Sequence, residues 1–142
     1  MTTRNAEARW EGRLMDGRGS MKLGSGAYEG PYSFASRFEN GPGTNPEELL
    51  GAAHAGCFSM AFSLFLEKAG YAARSIHTRA RVKLEKVGAG FEITAIDLVT
   101  EADVPGIAPD TFARLAEEAK TNCPVSRALA GTRIELEARL NA

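Results

Sequence analysis

The sequence has little of what marks secreted, metal-binding or nucleic-acid-binding proteins. Among 142 residues there are two cysteines and one tryptophan, and 17 Lys and Arg residues nearly balance 18 Asp and Glu residues. Lys and Arg never cluster in runs longer than two. The chain therefore lacks the basic patch that binds nucleic acid or an anionic membrane, and we expect neither as a partner.

The first residues, MTTRNAEARWEGR, lack the apolar stretch of a secretory signal. We therefore expect a cytoplasmic protein, in which reducing conditions disfavour a permanent disulfide. The two cysteines, Cys57 and Cys123, match no CxxC motif, and zinc would need at least three ligands from these cysteines and the only two histidines. We expect no metal and no cofactor.

A long run without charge occupies residues 49–66, LLGAAHAGCFSMAFSLFL. Its length approaches the roughly 20 apolar residues of a membrane span. However, it contains His54, Ser59 and Ser63, and alternating strand patterns that need a soluble core flank it. We predict a buried central helix and no membrane association.

Both ends of this helix carry sequence signals. Asn45 is a candidate N-cap, Pro46 suits the first helical position, and Glu48 completes the spacing of a capping box. Gly70 can end the helix in a left-handed conformation, which predicts a helix that runs to about Ala69.

Strand patterns precede the helix. Residues around Ala8 and Trp10 predict a first strand, and Asp16-Gly17 predicts a hairpin into a second strand over residues 20–23. A third strand is predicted over residues 32–38, because Tyr32, Phe34, Ser36 and Phe38 alternate with polar or small residues.

After the helix, alternation predicts strands over residues 76–85, from Phe91 onward, and over residues 134–140. The second of these changes parity between Ile93 and Ile96, which indicates either a bulge or a strand covered on both faces. Helical spacing over residues 110–120 and Pro124 after Cys123 predict two further helices.

The predicted order is βββ-α-ββ-αα-β, an α+β fold with two antiparallel groups of strands around one long apolar helix, in a single domain over residues 1–142. The helix is apolar nearly all round, and a chain of this size has difficulty covering it completely. We therefore expect an interleaved homodimer in which a second copy completes the cover.

Two interpretations of each cysteine remain open. Cys57 is either a packed core residue or a reactive thiolate, and a thiolate among apolar residues would need a neighbouring cation because burial raises its pKa. Cys123 is either an ordinary cap or a sulfur that the free amides of a short helix stabilise.

The histidines and acids near Cys57 are also ambiguous. His54 lies one helical turn before Cys57, so it either activates the thiol or bonds a carbonyl in the interface, whereas His77 belongs to the polar face of a strand. Glu47 suits the helix dipole, but about 15 Å of straight helix separates it from Cys57. If Glu47 serves the sulfur, either the helix breaks near Gly51 or a partner chain delivers the carboxylate.

Arg37 is a candidate partner for Glu47 because the predicted third strand ends just before the helix. The pair would then be presented together. The alternative is that Arg37 is one solvated arginine among many.

Three motifs, TNPEELLGAAHAGCFSMAFSLFLEKAGY, VPGI and NCPVSRAL, together with AEARWEG near the start, extend over nearly the whole chain. In this combination the sequence resembles the OsmC/Ohr family of thiol-dependent peroxidases, on the OsmC (osmotically inducible protein C) side. The resemblance implies an intertwined homodimer with two long central helices and active sites at the subunit interface.

The resemblance also implies roles for individual residues. Cys57 matches the peroxidatic cysteine, Cys123 the resolving cysteine and Glu47 the acid. The arginine matches Arg37 by the OsmC pattern, with Arg18 as the second choice by the Ohr pattern.

The implied reaction reduces organic hydroperoxides, and hydrogen peroxide more slowly, to alcohols. Cys57 becomes a sulfenic acid, Cys123 resolves it to a disulfide, and an external thiol or dithiol restores both thiols. Alternatives are a dimeric protein that binds a hydrophobic ligand, and a structural stress protein without turnover.

Overall fold

The computed structural model describes residues 1–141, which form two compact units, residues 1–49 and residues 50 onward. The first unit contains β1 (Ala6–Glu11), β2 (Arg18–Leu23), β3 (Glu29–Tyr32) and α1 (Phe34–Phe38). Helix α2 (Pro46–Lys68) begins in the first unit and continues into the second. The second unit also contains β4 (Ser75–Val87), β5 (Gly90–Asp103), α3 (Pro109–Asn122), α4 (Pro124–Ala128) and β6 (Arg133–Leu140). The predicted α+β class is confirmed.

In the first unit, three antiparallel strands form a sheet in the order β1-β2-β3. The predicted hairpin is present, with Glu11 opposite Arg18 at the end of the ladder. Gly12 has a φ of 94°, a conformation that glycine adopts without a steric penalty, so the chain can turn directly after β1.

The predicted third strand was wrong beyond Tyr32, because residues 34–38 form helix α1. Ser33 caps this helix in a reciprocal box: the Ser36 amide donates to Ser33 Oγ at 3.1 Å, and the Ser33 amide donates to Ser36 Oγ at 2.8 Å. Ser36 Oγ also donates to the Thr44 carbonyl at 2.7 Å. These local bonds outweigh the alternation of aromatic residues, and the observed order is βββ-αα-ββ-αα-β.

Helix α2 begins as predicted, with the Glu48 amide donating to Asn45 Oδ1 at 2.7 Å. The carboxylate of Glu48 accepts from Thr44 Oγ1, so its partner is not the one that a capping box requires. At the other end Gly70 has a φ of 91°, and the Tyr71 amide donates to the Leu66 carbonyl at 2.9 Å. The helix is one element from Pro46 to Lys68, without a break at Gly51.

The two faces of α2 differ in burial. Phe58, Phe62 and Leu66 are fully buried, whereas Met60 and Leu64 are 78% and 47% exposed. The helix is therefore covered on one side in this chain. By length and composition alone it could also cross a membrane, a property that core helices of soluble proteins share.

In the second unit the sheet order is β4-β5-β6. Strands β4 and β5 are antiparallel, and their register shifts where Lys83 pairs with Ala95 and Leu84 with Ile93. A bulge, one of the two alternatives left open by the sequence, is therefore present at Thr94. Strand β6 runs parallel to β5, which corrects the expectation of purely antiparallel groups. A parallel neighbour needs a long crossover, which α3 and α4 supply.

The core of the second unit lies between this sheet and the helices. Phe62 of α2 contacts Phe112 of α3, with ring centroids 5.3 Å apart. The buried residues of α3 are the four at predicted helical spacing, Phe112, Leu115, Ala116 and Ala119. This packing fixes α2, which carries Cys57, against the segment that leads to Cys123.

Candidate active site

Two free thiols meet in the second unit. Cys57 lies in the middle of α2 and is partly exposed, whereas Cys123 is fully buried where α3 ends and α4 begins. Their Sγ atoms are 3.0 Å apart. The sulfurs need to approach by only about 1 Å to reach the length of a disulfide bond.

The surroundings of the two thiols shift their pKa values in opposite directions. Burial, and then the hydrogen bond with Cys123, raise the pKa of the Cys57 thiol. Burial alone would raise the pKa of Cys123 as well, but hydrogen bonds with Cys57 and with Ser126 and Val125 together lower it. Within this unit, ionisation therefore favours the buried sulfur, whereas access favours the partly exposed one.

Cys123 is fixed by backbone on both sides. Its amide donates to the Ala119 carbonyl at 3.0 Å and closes α3, and its Sγ accepts from the Ser126 amide at 3.4 Å as the N-cap of α4. Pro124 at the first position of α4 sets the turn between the helices. The sequence left open an ordinary cap or a sulfur that amides stabilise, and Cys123 is an N-cap whose sulfur accepts a bond from the Ser126 amide.

His54 is fully buried, and its Nε2 lies 2.7 Å from Ser126 Oγ. The observed partner of Nε2 is a hydroxyl, whereas the sequence left open either activation of the thiol or a bond to a carbonyl in the interface. Burial lowers the pKa of His54, which favours the neutral form of the ring. His77 is exposed on β4, as expected.

In the first unit, Arg37 and Glu47 form the predicted ion pair with two parallel hydrogen bonds. Arg37 Nε donates to Glu47 Oε1 and Nη2 donates to Oε2, both at 3.0 Å. The Glu47 side chain is 9% exposed and that of Arg37 is 36% exposed. The bidentate geometry fixes the guanidinium plane and leaves its Nη1 group outside the pair. Arg18, the second choice, is an exposed residue at the start of β2.

A cavity of about 210 Å³ adjoins Arg37 within the first unit. Its walls are mainly aromatic, and Trp10 and Tyr32 contact each other with ring centroids 5.4 Å apart. The walls include Trp10, Leu14, Tyr32, Phe34, Phe38 and Arg37. An apolar space beside a fixed cation suits a ligand with a hydrocarbon part and a polar end.

The predicted residues thus form two groups, Cys57 with Cys123 and Arg37 with Glu47. Sequence reasoning missed Ser126 and the aromatic cavity. The serine stands in the quoted motif NCPVSRAL, three residues after Cys123, which is the spacing that brings a backbone amide to an N-cap. The cavity was missed because Phe34 and Phe38 were assigned to a strand.

The family model described as OsmC-like protein matches residues 39–137. Two curated relatives, each named Peroxiredoxin OsmC, come from Escherichia coli (strain K12) and Shigella flexneri. Each is 51% identical over 127 residues, which is 89% of this chain and 89% of the relative.

Solved structures share the fold at lower identity. The organic hydroperoxide resistance protein OhrB of Bacillus subtilis has a TM-score of 0.72 at 23% identity, covering 99% of this chain and 98% of that one. An OsmC-like protein of unknown function from Vibrio cholerae has a TM-score of 0.76 at 18% identity, covering 97% and 99%. On the family match and the 51% identity, this chain is a member of the OsmC-like protein family.

Proposed function

We propose that this protein is a cysteine-based peroxidase that reduces organic hydroperoxides, and hydrogen peroxide more slowly, to alcohols or water. The observation that carries the proposal is the pair of free thiols at 3.0 Å, one partly exposed and one buried. The names of the curated relatives, Peroxiredoxin OsmC, support the same chemistry.

The first step takes place at Cys57, because the substrate can reach a partly exposed sulfur. The thiolate attacks the distal oxygen of ROOH, the O–O bond breaks, and the leaving alkoxide takes a proton to become the alcohol. Cys57 becomes a sulfenic acid.

Arg37 is the proposed cation that Cys57 requires, and Glu47 holds it in position. Burial disfavours the Cys57 thiolate, so the first step needs a positive group beside the sulfur. Two hydrogen bonds to Glu47 fix the plane of the guanidinium and so orient the N–H groups that do not bind Glu47. These N–H groups can stabilise negative charge on the departing oxygen.

The aromatic cavity beside Arg37 is the proposed binding site for the hydrocarbon part of the substrate. Its volume of about 210 Å³ suits a small aryl or branched alkyl group. Hydrogen peroxide has no such group and gains nothing from these walls, which is the physical reason for its slower reduction.

Cys123 completes the cycle. Its thiolate attacks Sγ of the Cys57 sulfenic acid, the S–S bond forms, and hydroxide leaves and takes a proton to become water. An external thiol or dithiol then reduces the disulfide, so the cycle uses sulfur chemistry throughout.

The proposed assembly is a cytoplasmic homodimer in which each chain acts as one peroxidase domain over residues 1–142. Its support is the exposed stripe of α2, defined here as Ala52, Ala53, Gly56, Met60 and Leu64. These residues are apolar, lie at helical spacing and carry no charge, so a second copy would bury them.

The experiment that tests the function adds one equivalent of cumene hydroperoxide to the reduced protein and follows peroxide loss and intact mass. We expect the wild type to consume the peroxide and lose two hydrogens as the Cys57–Cys123 disulfide forms. Cys57→Ser should consume no peroxide, and Cys123→Ser should consume one equivalent and retain a sulfenic acid that dimedone traps.

The two cysteine variants also assign the roles, because the pKa directions and the accessibility of the thiols point to different sulfurs. Loss of peroxide consumption in Cys123→Ser with full consumption in Cys57→Ser would reverse the assignment. No consumption by the wild type in the presence of dithiol would contradict the peroxidase proposal.

A further inference from the structure

His54 and Ser126 are buried polar residues that the proposed reaction does not use. His54 has no exposed surface and Ser126 is 5% exposed. His54 Nε2 meets Ser126 Oγ at 2.7 Å, and His54 Nδ1 is buried without a hydrogen-bond partner among residues 1–141. Leaving a buried polar atom unpaired costs free energy. An apolar side chain would avoid this cost, so the contact with Ser126 has to offset it.

The contact joins the two elements that carry the thiols. His54 and Cys57 lie one turn apart in α2, and Cys123 and Ser126 are separated by the same spacing at the start of α4. His54 contacts Ser126, and Cys57 contacts Cys123. Each segment is therefore attached to the other at two points, one made by sulfur and one by the imidazole and the hydroxyl.

The two attachments differ in what happens to them during the reaction. The contact between the sulfurs changes chemically, from two thiols to a sulfenic acid and then to a disulfide. The contact between His54 and Ser126 involves no reacting atom, so the reaction does not change it chemically. Helix α4 has five residues, too few to hold its own geometry, so its position depends on such anchors.

We propose that His54 and Ser126 are positioning residues that hold the Cys123 sulfur against Cys57 throughout the catalytic cycle. Ser126 acts directly, because its amide donates to Cys123 Sγ while its hydroxyl is bound to His54. The inference rests on the proposed function for its role in turnover. The positioning itself is a property of the dithiol and can be measured without peroxide.

The test measures the equilibrium constant for Cys57–Cys123 disulfide formation in buffers of reduced and oxidised glutathione. This constant reports the effective concentration of one thiol at the other. In His54→Leu and in Ser126→Ala it should fall about tenfold, the equivalent of one hydrogen bond.

His54→Gln is the matched control, because its terminal amide can replace Nε2 and keep the bond to Ser126. Its constant should stay within about threefold of the wild type. His54→Asn is too short to reach Ser126 and should behave like His54→Leu. If His54 had only a structural role, His54→Gln and His54→Asn would lower the equilibrium constant equally.

A double-mutant cycle gives the second readout. If the two residues act through their contact, His54→Leu combined with Ser126→Ala should lose about as much as either change alone. Circular dichroism and thermal unfolding identify any variant that does not fold. If a histidine variant does not fold, the test uses Ser126→Ala, which removes only a hydroxyl, with Ser126→Thr as its control. Additive losses, or a constant that Ser126→Ala leaves unchanged, would overturn the proposal.

The consequence for turnover is tested separately. After one equivalent of cumene hydroperoxide, Ser126→Ala should hold the dimedone-reactive sulfenic acid about tenfold longer than the wild type. If the wild type consumes no peroxide, the proposed function fails, and the glutathione equilibrium still decides the positioning. A sulfenic acid of wild-type lifetime would show that positioning by Ser126 does not limit resolution.

Discussion

At the scale of single residues, a peroxidatic sulfur needs both a lowered pKa and access to the substrate, and each of the two thiols has only one of these properties. Cys123 has the lowered pKa but no exposure, and Cys57 has access but a raised pKa. A cation at Cys57 removes this conflict, because it stabilises the thiolate of the sulfur that a substrate can reach. The role of Arg37 is therefore the residue-level hypothesis on which the assignment of Cys57 most depends.

Replacing the arginine should move the pH dependence of peroxide consumption. The reactive form is the thiolate, so the rate rises with pH through the pKa of Cys57. In Arg37→Met the cation is lost, burial then dominates, and the rise should shift to higher pH. Stopped-flow measurements of peroxide loss between pH 5 and about 10 would show the shift.

Arg37→Lys is the matched control for this experiment. It keeps the charge but loses the planar fork that binds Glu47 at two points. We expect a smaller shift of the pH profile than in Arg37→Met, with a lower maximal rate because the charge is less well oriented. A profile that stays unchanged in Arg37→Met would exclude the arginine as the cation.

The sequence was informative about these residues only in part. The apolar neighbours of Cys57 indicated that burial would raise the pKa of its thiol. Pro124 and the start of a helix indicated that backbone amides could stabilise the sulfur of Cys123. The partner of His54 could not be predicted, because Ser126 lies 72 positions away and reaches it only through the packing of α4 on α2. Local patterns do not encode contacts of that kind.

At the scale of elements, prediction worked where one physical signal dominated. The N-cap at Asn45, the glycine after α2 and the spacing of the apolar residues in α3 are such cases, and each is confirmed. The prediction for the segment that forms α1 was wrong because two signals competed. Alternating aromatic residues favoured a strand, but Ser33 and Ser36 cap each other and favour a helical turn.

The parallel placement of β6 shows a different limit. The alternation in residues 134–140 identified a strand, and the same alternation occurs in parallel and antiparallel edge strands. Direction depends on how α3 and α4 cross the sheet, which is a property of the chain path between the strands.

The end of α2 gives a prediction at this scale. Gly70 has a φ of 91° and an added Cβ would meet no atom within 4 Å, so Gly70→Ala introduces backbone strain without a clash. It should lower the free energy of unfolding by about 1 kcal/mol. Gly70→Asn should lower it less, because asparagine tolerates the left-handed region better than alanine.

Urea unfolding followed by circular dichroism at a fixed protein concentration measures both variants. Equal effects of alanine and asparagine would mean that the conformation at Gly70 does not limit the stability of α2. A stabilising effect of Gly70→Ala would contradict a left-handed end for this helix.

At the scale of the whole molecule, the exposed stripe of α2 is the feature that one chain leaves incomplete. The sequence predicted a helix that needs cover on every side, and the chain covers the side of Phe58, Phe62 and Leu66. Helix α2 has no break at Gly51, so that route from Glu47 to Cys57 is contradicted. If Glu47 serves the sulfur, the other route inferred from the sequence is delivery of the carboxylate by a partner chain.

Mixed dimers test this delivery. A Glu47→Ala chain and a Cys57→Ser chain, carrying different affinity tags, are co-expressed and the heterodimer is purified through both tags. If acid and sulfur come from different subunits, the heterodimer has one site with both residues intact and one site with neither. It should then consume organic hydroperoxide at about half the wild-type rate, whereas each variant homodimer should be impaired at both sites.

The matched control pairs a wild-type chain with a Glu47→Ala, Cys57→Ser double variant. Under cross-subunit delivery both sites of that dimer lack one residue, so its rate should be low. The opposite ranking, with an active control and an impaired test heterodimer, would place acid and sulfur in the same chain, and a protein that sediments as a monomer would contradict the shared site altogether.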